Sequence, residues 1–253
     1  MMEAWRPPRF TTEQRLAVAD RVLGRLRARY AAGLLAVALE GSTAKGLDRA
    51  ESDLELRAVL AGGEEHRWYA FLHRGMFVGV SVVTVERARR DAAEVDYTWP
   101  CVGDALFTAR VLHDPAGLYA ELRALGQAAE ERADFMALAR DSLADMYEHV
   151  YKLFTAGDDG GTAAHEARQV AFWAANTVGL VNRFRYLSSR TLFAESARLP
   201  ALPEGYGHHV EGLLALCATP GELQSHTGAL WAAFASWAAD RGSRLEDDAM
   251  EGV

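Results

Sequence analysis

Ser52-Asp53-Leu54-Glu55 sets two carboxylates two residues apart, and a Gly41-Ser42 pair stands shortly before them. In an extended segment residues i and i+2 point to the same face, so Asp53 and Glu55 project side by side. Two like charges so placed call for a counter-ion. Mg²⁺ takes hard oxygen ligands and combines one or two protein carboxylates with nucleotide phosphates and water. A Gly-Ser turn offers backbone N–H groups and a hydroxyl to phosphate oxygens, because glycine lets the chain approach closely. Taken singly, an Asp-x-Glu is an ordinary solvated strand start and Gly-Ser an ordinary turn. Their order carries the information: apolar strand, Gly-Ser, short linker, then Asp-x-Glu opening a second strand.

A second polar set lies further on. Asp141, Asp145, Glu148 and Lys152 follow i, i+4, i+7 and i+11, which brings all four onto one helical face. Such an acidic stripe can hold ammonium groups. The same spacing also describes a solvated face with a Glu148–Lys152 pair.

The elements that must position these groups follow from periodicity. Thr11 and Gln14 form a capping box for an amphipathic helix reaching Tyr30,. Apolar or alternating runs predict strands over 34–39, 54–60 and 76–85, with a further strand over 105–112 and a helix over 117–125,. From about residue 128 the pattern turns helical, with helices over 129–155, 162–186, 190–197, 206–217 and 220–241,. The expected fold class is α+β: an α/β domain with a small mixed sheet at 1–127, then a helical bundle at 128–253. The tail 246–253 is expected to fray.

Of 253 residues half are hydrophobic and a quarter charged, enough to bury a sizeable core,. The net charge of −8 argues against a sequence-independent grip on nucleic acid and suits a cationic small molecule,. Cys101 and Cys217 have neither disulfide nor metal-site spacing and are expected to be two buried thiols,. The amino terminus has no leader pattern and no run is long enough to span a membrane, so a soluble, cytoplasmic protein is expected.

The arrangement GS…SDLE resembles the signature of the polymerase β-like nucleotidyltransferases. Within them the chain is similar to the kanamycin nucleotidyltransferase family, the aminoglycoside 4'-O-nucleotidyltransferases. That similarity extends through Trp99-Pro100, ADMYEHVYK at 144–152, RYLSSRTLF at 185–193 and LPEGYGHH at 202–209. The resemblance implies transfer of AMP from Mg-ATP to an antibiotic hydroxyl. Gly41 and Ser42 would hold the nucleotide's β and γ phosphates, with Lys45 and Lys152 as further phosphate contacts. Asp53 and Glu55 would bind Mg²⁺, Glu148 would be the general base, and Asp141 and Asp145 would join it in binding the aminoglycoside. It also implies a homodimer with composite active sites. The alternatives are transfer to a different acceptor, or a catalytically inactive nucleotide-binding module of the same fold.

One departure stands out. The family places a third carboxylate on the next strand, where this chain has Gly79. Glu64, Glu65 or Asp96 would have to supply that charge, or the site would work with two acids and Glu148. His208-His209 reads as a surface pair, since consecutive residues do not share a helix face and a metal needs more ligands. Trp173, Trp231 and Trp237 read as core packing. Arg183, Arg185 and Arg190 flank Ser188-Ser189 and suit either a triphosphate or a helix end.

Overall fold

The computed structural model describes residues 6–242 and Leu245; the amino-terminal residues 1–5 and the tail expected to fray at 246–253 lie outside the described residues. The chain divides into two compact units, one running to Val95 and resuming over Ala105–Ala133, the other made of Asp96–Asp104 and the chain from Asp134 onward. The fold is α+β, and no helix among the described residues is long and apolar enough to cross a membrane.

In the first unit α1 (Thr12–Tyr30) starts at the capping box read from the sequence: Thr11 Oγ1 accepts from the Gln14 amide and Gln14 Oε1 from the Thr11 amide,. Then come β1 (Leu34–Glu40), a helical turn at Gly41–Ala44, β2 (Leu54–Leu60), β3 (His66–His73), β4 (Met76–Thr84) and α2 (Val85–Ala93). A helical turn at Ala105–Thr108, β5 (Arg110–His113) and α3 (Leu118–Arg132) complete it. The strands form one mixed sheet in the order β3-β4-β2-β1-β5, in which β2 and β4 run parallel and the other neighbours antiparallel. Alternation assigns the two faces. Leu54, Leu56, Ala58 and Leu60 bury against Val18, Val22, Leu23 and Leu26 of α1. Ala36, Ala38, Val59 and Val83 bury against α2 and α3,. Each fully buried Leu or Val side chain contributes roughly 1.5–3 kcal/mol.

Two elements of this unit depart from the sequence expectation. β3 was not expected, because as an edge strand it is largely exposed and shows no buried alternation. It is set by a two-residue turn in which Arg74 and Gly75 both have positive φ, +51° and +86°, the geometry that matches strand twist in tight hairpins,. The strand expected over 105–112 is a helical turn followed by the shorter β5.

The second unit holds a helical turn at Trp99–Val102 and then α4 (Phe135–Thr155), α5 (Gly160–Val181), α6 (Leu192–Ser196), α7 (Tyr206–Leu213) and α8 (Pro220–Ala239). The helix expected over 129–155 is two helices, since Asp134 caps α4 by accepting from the Met136 and Ala137 amides,. Ala163, Ala167, Ala171 and Ala174 on α5 pack with Leu143, Met146, Val150 and Leu153 of α4 and with Leu230 and Phe234 of α8 in one core. Trp237 is buried there while Trp173 and Trp231 pack at its margin, as their setting among alanines implied. The cysteine expectation needs correcting. Cys101 is half-buried, its thiol donating to Asn176 Oδ1 and pushed up to about 11 by burial, but Cys217 is exposed.

Arg15 is the most consequential buried polar group of the first unit. All five of its N–H donors are used: Nε donates to Ser52 O, Nη1 to Phe10 O and Asp48 Oδ2, and Nη2 to Arg49 O and Ala50 O,. The guanidinium and the Asp48 carboxylate are both almost wholly buried, at 1% and 4% exposure. The 48–52 loop is thus folded around a cation from α1, and it delivers the chain to Asp53. Arg15→Met is expected to cost about 3–5 kcal/mol, because it leaves the Asp48 charge buried with its pair removed. Urea unfolding checks this, and a loss under about 1 kcal/mol would contradict the role given to Arg15.

Candidate active site

The carboxylates of the first unit are gathered by sheet register. Glu40, the last residue of β1, pairs with Glu55 on β2, and Glu55 pairs on its other side with Gly79 on β4. Asp53 is exposed just outside the strand, next to this row. Glu55 registers the crowding: burial, then the Asp53 charge, then the Glu40 charge hold its carboxyl above the ordinary glutamate range, while the Lys45 ammonium pulls the other way,. Glu40 is therefore a third acid of this row, one that the sequence reading passed over. Its only sequence mark is its place immediately before the Gly-Ser pair. Arg57 lies against it, Nε to Glu40 Oε1 at 3.3 Å, and reaches Asp91 with Nη1 at 3.5 Å.

Gly41 is required twice. Its φ is +67°, and a methyl group there would overlap Glu55 Oε2,. The turn it opens places Ser42 half-buried and Lys45 at its end. The leading amides of a helical turn have no acceptor within it, so they can face an anion.

The third acid expected near Gly79 has a physical reason for its absence. The indole of Trp68, from β3, fills the space in which a Gly79 side chain would stand. Of the substitutes considered from sequence, two are committed to arginines and the third lies in the other unit. Glu64 is held by Arg67, Glu65 is engaged by Arg87 and Arg90, and Asp96 belongs to the second unit, where it accepts from the Thr98 amide and hydroxyl. Glu40, Asp53 and Glu55 still make an oxygen-rich, partly desolvated set with a displaced carboxyl pKa. Asp53 and Glu55 offer the two carboxylates that a hard divalent cation shared with phosphates and water takes, while Glu40, held by Arg57, adds negative charge beside them,.

In the second unit Asp141, Asp145, Glu148 and Lys152 all lie on α4; Asp145 is half-buried and the other three are exposed. Lys152 hydrogen-bonds Glu148 and, with its charge, holds that carboxyl below the usual range, so Glu148 is ionised at neutral pH. Tyr97 joins this face and was missed in the sequence. The Asp145 carboxylate raises its phenol pKa, first by charge and then by hydrogen bonding, with burial, Asp96 and Asp141 adding to the shift. Its ring lies 5.7 Å from that of Trp173. Fully buried Asn176 of α5 places it, donating from Nδ2 to Tyr97 O at 2.6 Å and to Ser142 Oγ at 2.9 Å. Of the three arginines near Ser188-Ser189, Arg183 lies over the Phe135 ring and Arg185 over that of Trp99, while Arg190 is exposed,.

Comparison with known proteins gives consistent matches. The family described as KNTase C-terminal domain matches residues 116–244, just over half of the chain. An aminoglycoside nucleotidyltransferase (4') of Staphylococcus aureus is 22% identical over 200 residues, which is 78% of this chain and 79% of the relative. One from a Bacillus species has the same identity and coverage. Among solved structures, a nucleotidyltransferase-like protein of Exiguobacterium sibiricum shares the fold, with a TM-score of 0.54 and 10% identity over 92% of this chain and 83% of that one.

The raised Glu55 carboxyl has a definite consequence for stability. An acid whose folded pKa is raised favours the fold in its protonated form, so that contribution is present below the ordinary glutamate range and lost as pH rises through the folded value. Glu55→Gln removes the ionised group without changing its size. In metal-free buffer at neutral pH the variant is expected to melt above the wild type, with the gap closing as pH falls through the carboxylate range. A variant that melts lower at neutral pH would show the carboxylate to be favourably paired.

Proposed function

The chain belongs to the kanamycin nucleotidyltransferase family, and we propose that it inactivates an aminoglycoside by transferring AMP from Mg-ATP to the drug's 4'-hydroxyl. The observation that supports this most is the row of Glu40, Asp53 and Glu55 beside the Gly41 turn, with its raised carboxyl pKa.

In this reading the Gly41–Ser42 turn and Lys45 bind the β and γ phosphates of ATP, with Lys152 as a further cation. Asp53 and Glu55 would hold Mg²⁺, with the Glu40 charge beside them, and the ion would supply neutralisation of charge on the phosphoryl and pyrophosphate oxygens,. Glu148 accepts the proton of the 4'-hydroxyl as that oxygen bonds to the α phosphorus, and pyrophosphate leaves with the electrons of the broken P–O bond. Lys152 keeps Glu148 ionised and ready for that proton. Asp141 and Asp145 bind drug ammonium groups, with Tyr97 and Trp173 beside them. The enzyme works as a cytoplasmic homodimer, in which α4 of one chain serves the nucleotide site of its partner. Tyr147, Tyr151 and Phe154 support this, forming an exposed aromatic row at i, i+4 and i+7 of α4,.

A second reading, transfer to a different hydroxyl or acceptor, draws on Trp68, which puts an indole where the family has a carboxylate. Incubation with Mg-ATP and kanamycin, tobramycin or amikacin is expected to yield a drug–AMP adduct by mass spectrometry, sited at the 4' oxygen by fragmentation. An adduct elsewhere would favour the second reading, and none with any of the three would defeat the first. Glu148→Gln is expected to lower kcat by about 10²–10⁴ while ATP binding persists. Mixing and refolding it with Asp53→Asn, itself inactive, should restore turnover through hybrid dimers. No recovery would rule out shared sites.

A further inference from the structure

Three imidazoles converge in the helical unit. His208 and His209 stand in the first turn of α7 and His226 two turns into α8. Two consecutive residues diverge by about 100° around a helix, which is why the pair alone reads as surface. The third ring changes that. Its centroid lies 5.2 Å from that of His208 and 5.5 Å from that of His209, which are themselves 5.1 Å apart. One ring nitrogen from each histidine lies within 4.8 Å of the other two.

His209 Nδ1 and His226 Nδ1 are 3.3 Å apart. Nitrogens bound at ~2.0–2.1 Å to one tetrahedral zinc stand about 3.3–3.4 Å from each other, so this pair already has ligand spacing. The third nitrogen has at most about 1.5 Å to close, within the range of a small χ adjustment of exposed His208,. The backbone makes room as well: a methyl group at Gly212 of α7 would overlap the His226 ring, so that ring rests against bare helix.

We propose that His208, His209 and His226 form a binding site for one divalent transition-metal ion of the zinc class, with three imidazole ligands and a fourth position open to water. Three nitrogens suit zinc, cobalt, nickel or copper, whereas magnesium prefers oxygen. This site is separate from the carboxylate row and does not depend on the nucleotidyl-transfer reading. By joining α7 to α8 it clamps two helices of the same core, so ion binding should stabilise the helical unit.

The test uses the full chain, freed of any affinity tag and stripped with chelator. Zn²⁺ is expected to bind with one-to-one stoichiometry by calorimetry and to raise Tm, and Co²⁺ to give the intense visible bands of a tetrahedral ion. His226→Gln, which retains a polar side chain, and the double variant His208→Ala/His209→Ala should each lose the Co²⁺ bands and weaken zinc binding at least tenfold. Unchanged zinc affinity in both variants, or no tetrahedral Co²⁺ spectrum in the wild type, would overturn the proposal.

Discussion

The buried guanidinium of Arg15 is the constraint on which the geometry of the first unit depends. The 48–52 loop has little apolar surface with which to fix its own shape, and three of its carbonyls turn inward toward one cation. Inward carbonyls need donors, and α1 supplies them from a single side chain, with Asp48 balancing the charge,. The loop ends at Ser52, whose hydroxyl also receives the Arg49 amide. The placement of Asp53 relative to Glu55 is consequently set by α1, an element that contributes no group to the carboxylate row.

That dependence explains which parts of the site were legible. The Gly-Ser pair and Asp-x-Glu could be read because their meaning is local: turn, strand, and two side chains on one face. Glu40 could not, since it gains its role only when β1 and β2 pair antiparallel and bring it opposite Glu55. Arg15 was hidden among other charged positions of α1. Strand β3 was hidden because hydrogen bonding to β4, rather than burial, makes it a strand, and Arg74-Gly75 lacks the Asn-Gly or Asp-Gly form by which such turns are recognised,.

In the helical unit the long periodic helices were legible and the polar contacts between them were not. Asn176 reads from sequence as one polar residue in an apolar helix. In the fold it receives the Cys101 thiol and donates to Tyr97 O and Ser142 Oγ, and so ties the 96–104 segment to α5. Tyr97 reaches the acidic face through that tie. His226 likewise has no meaning in sequence until α8 is laid beside α7.

Trp68 and Gly79 carry a consequence for how this chain can change. An acidic side chain at 79 would collide with the indole, while loss of the indole alone would open a gap beside a bare backbone. A side chain at 79 needs the half-exposed indole to move aside, so what a replacement at 79 costs depends on the residue at 68. Replacing the indole first would leave room at 79 without touching the buried core, so the order of the two replacements decides how readily an acid could be placed beside Glu55.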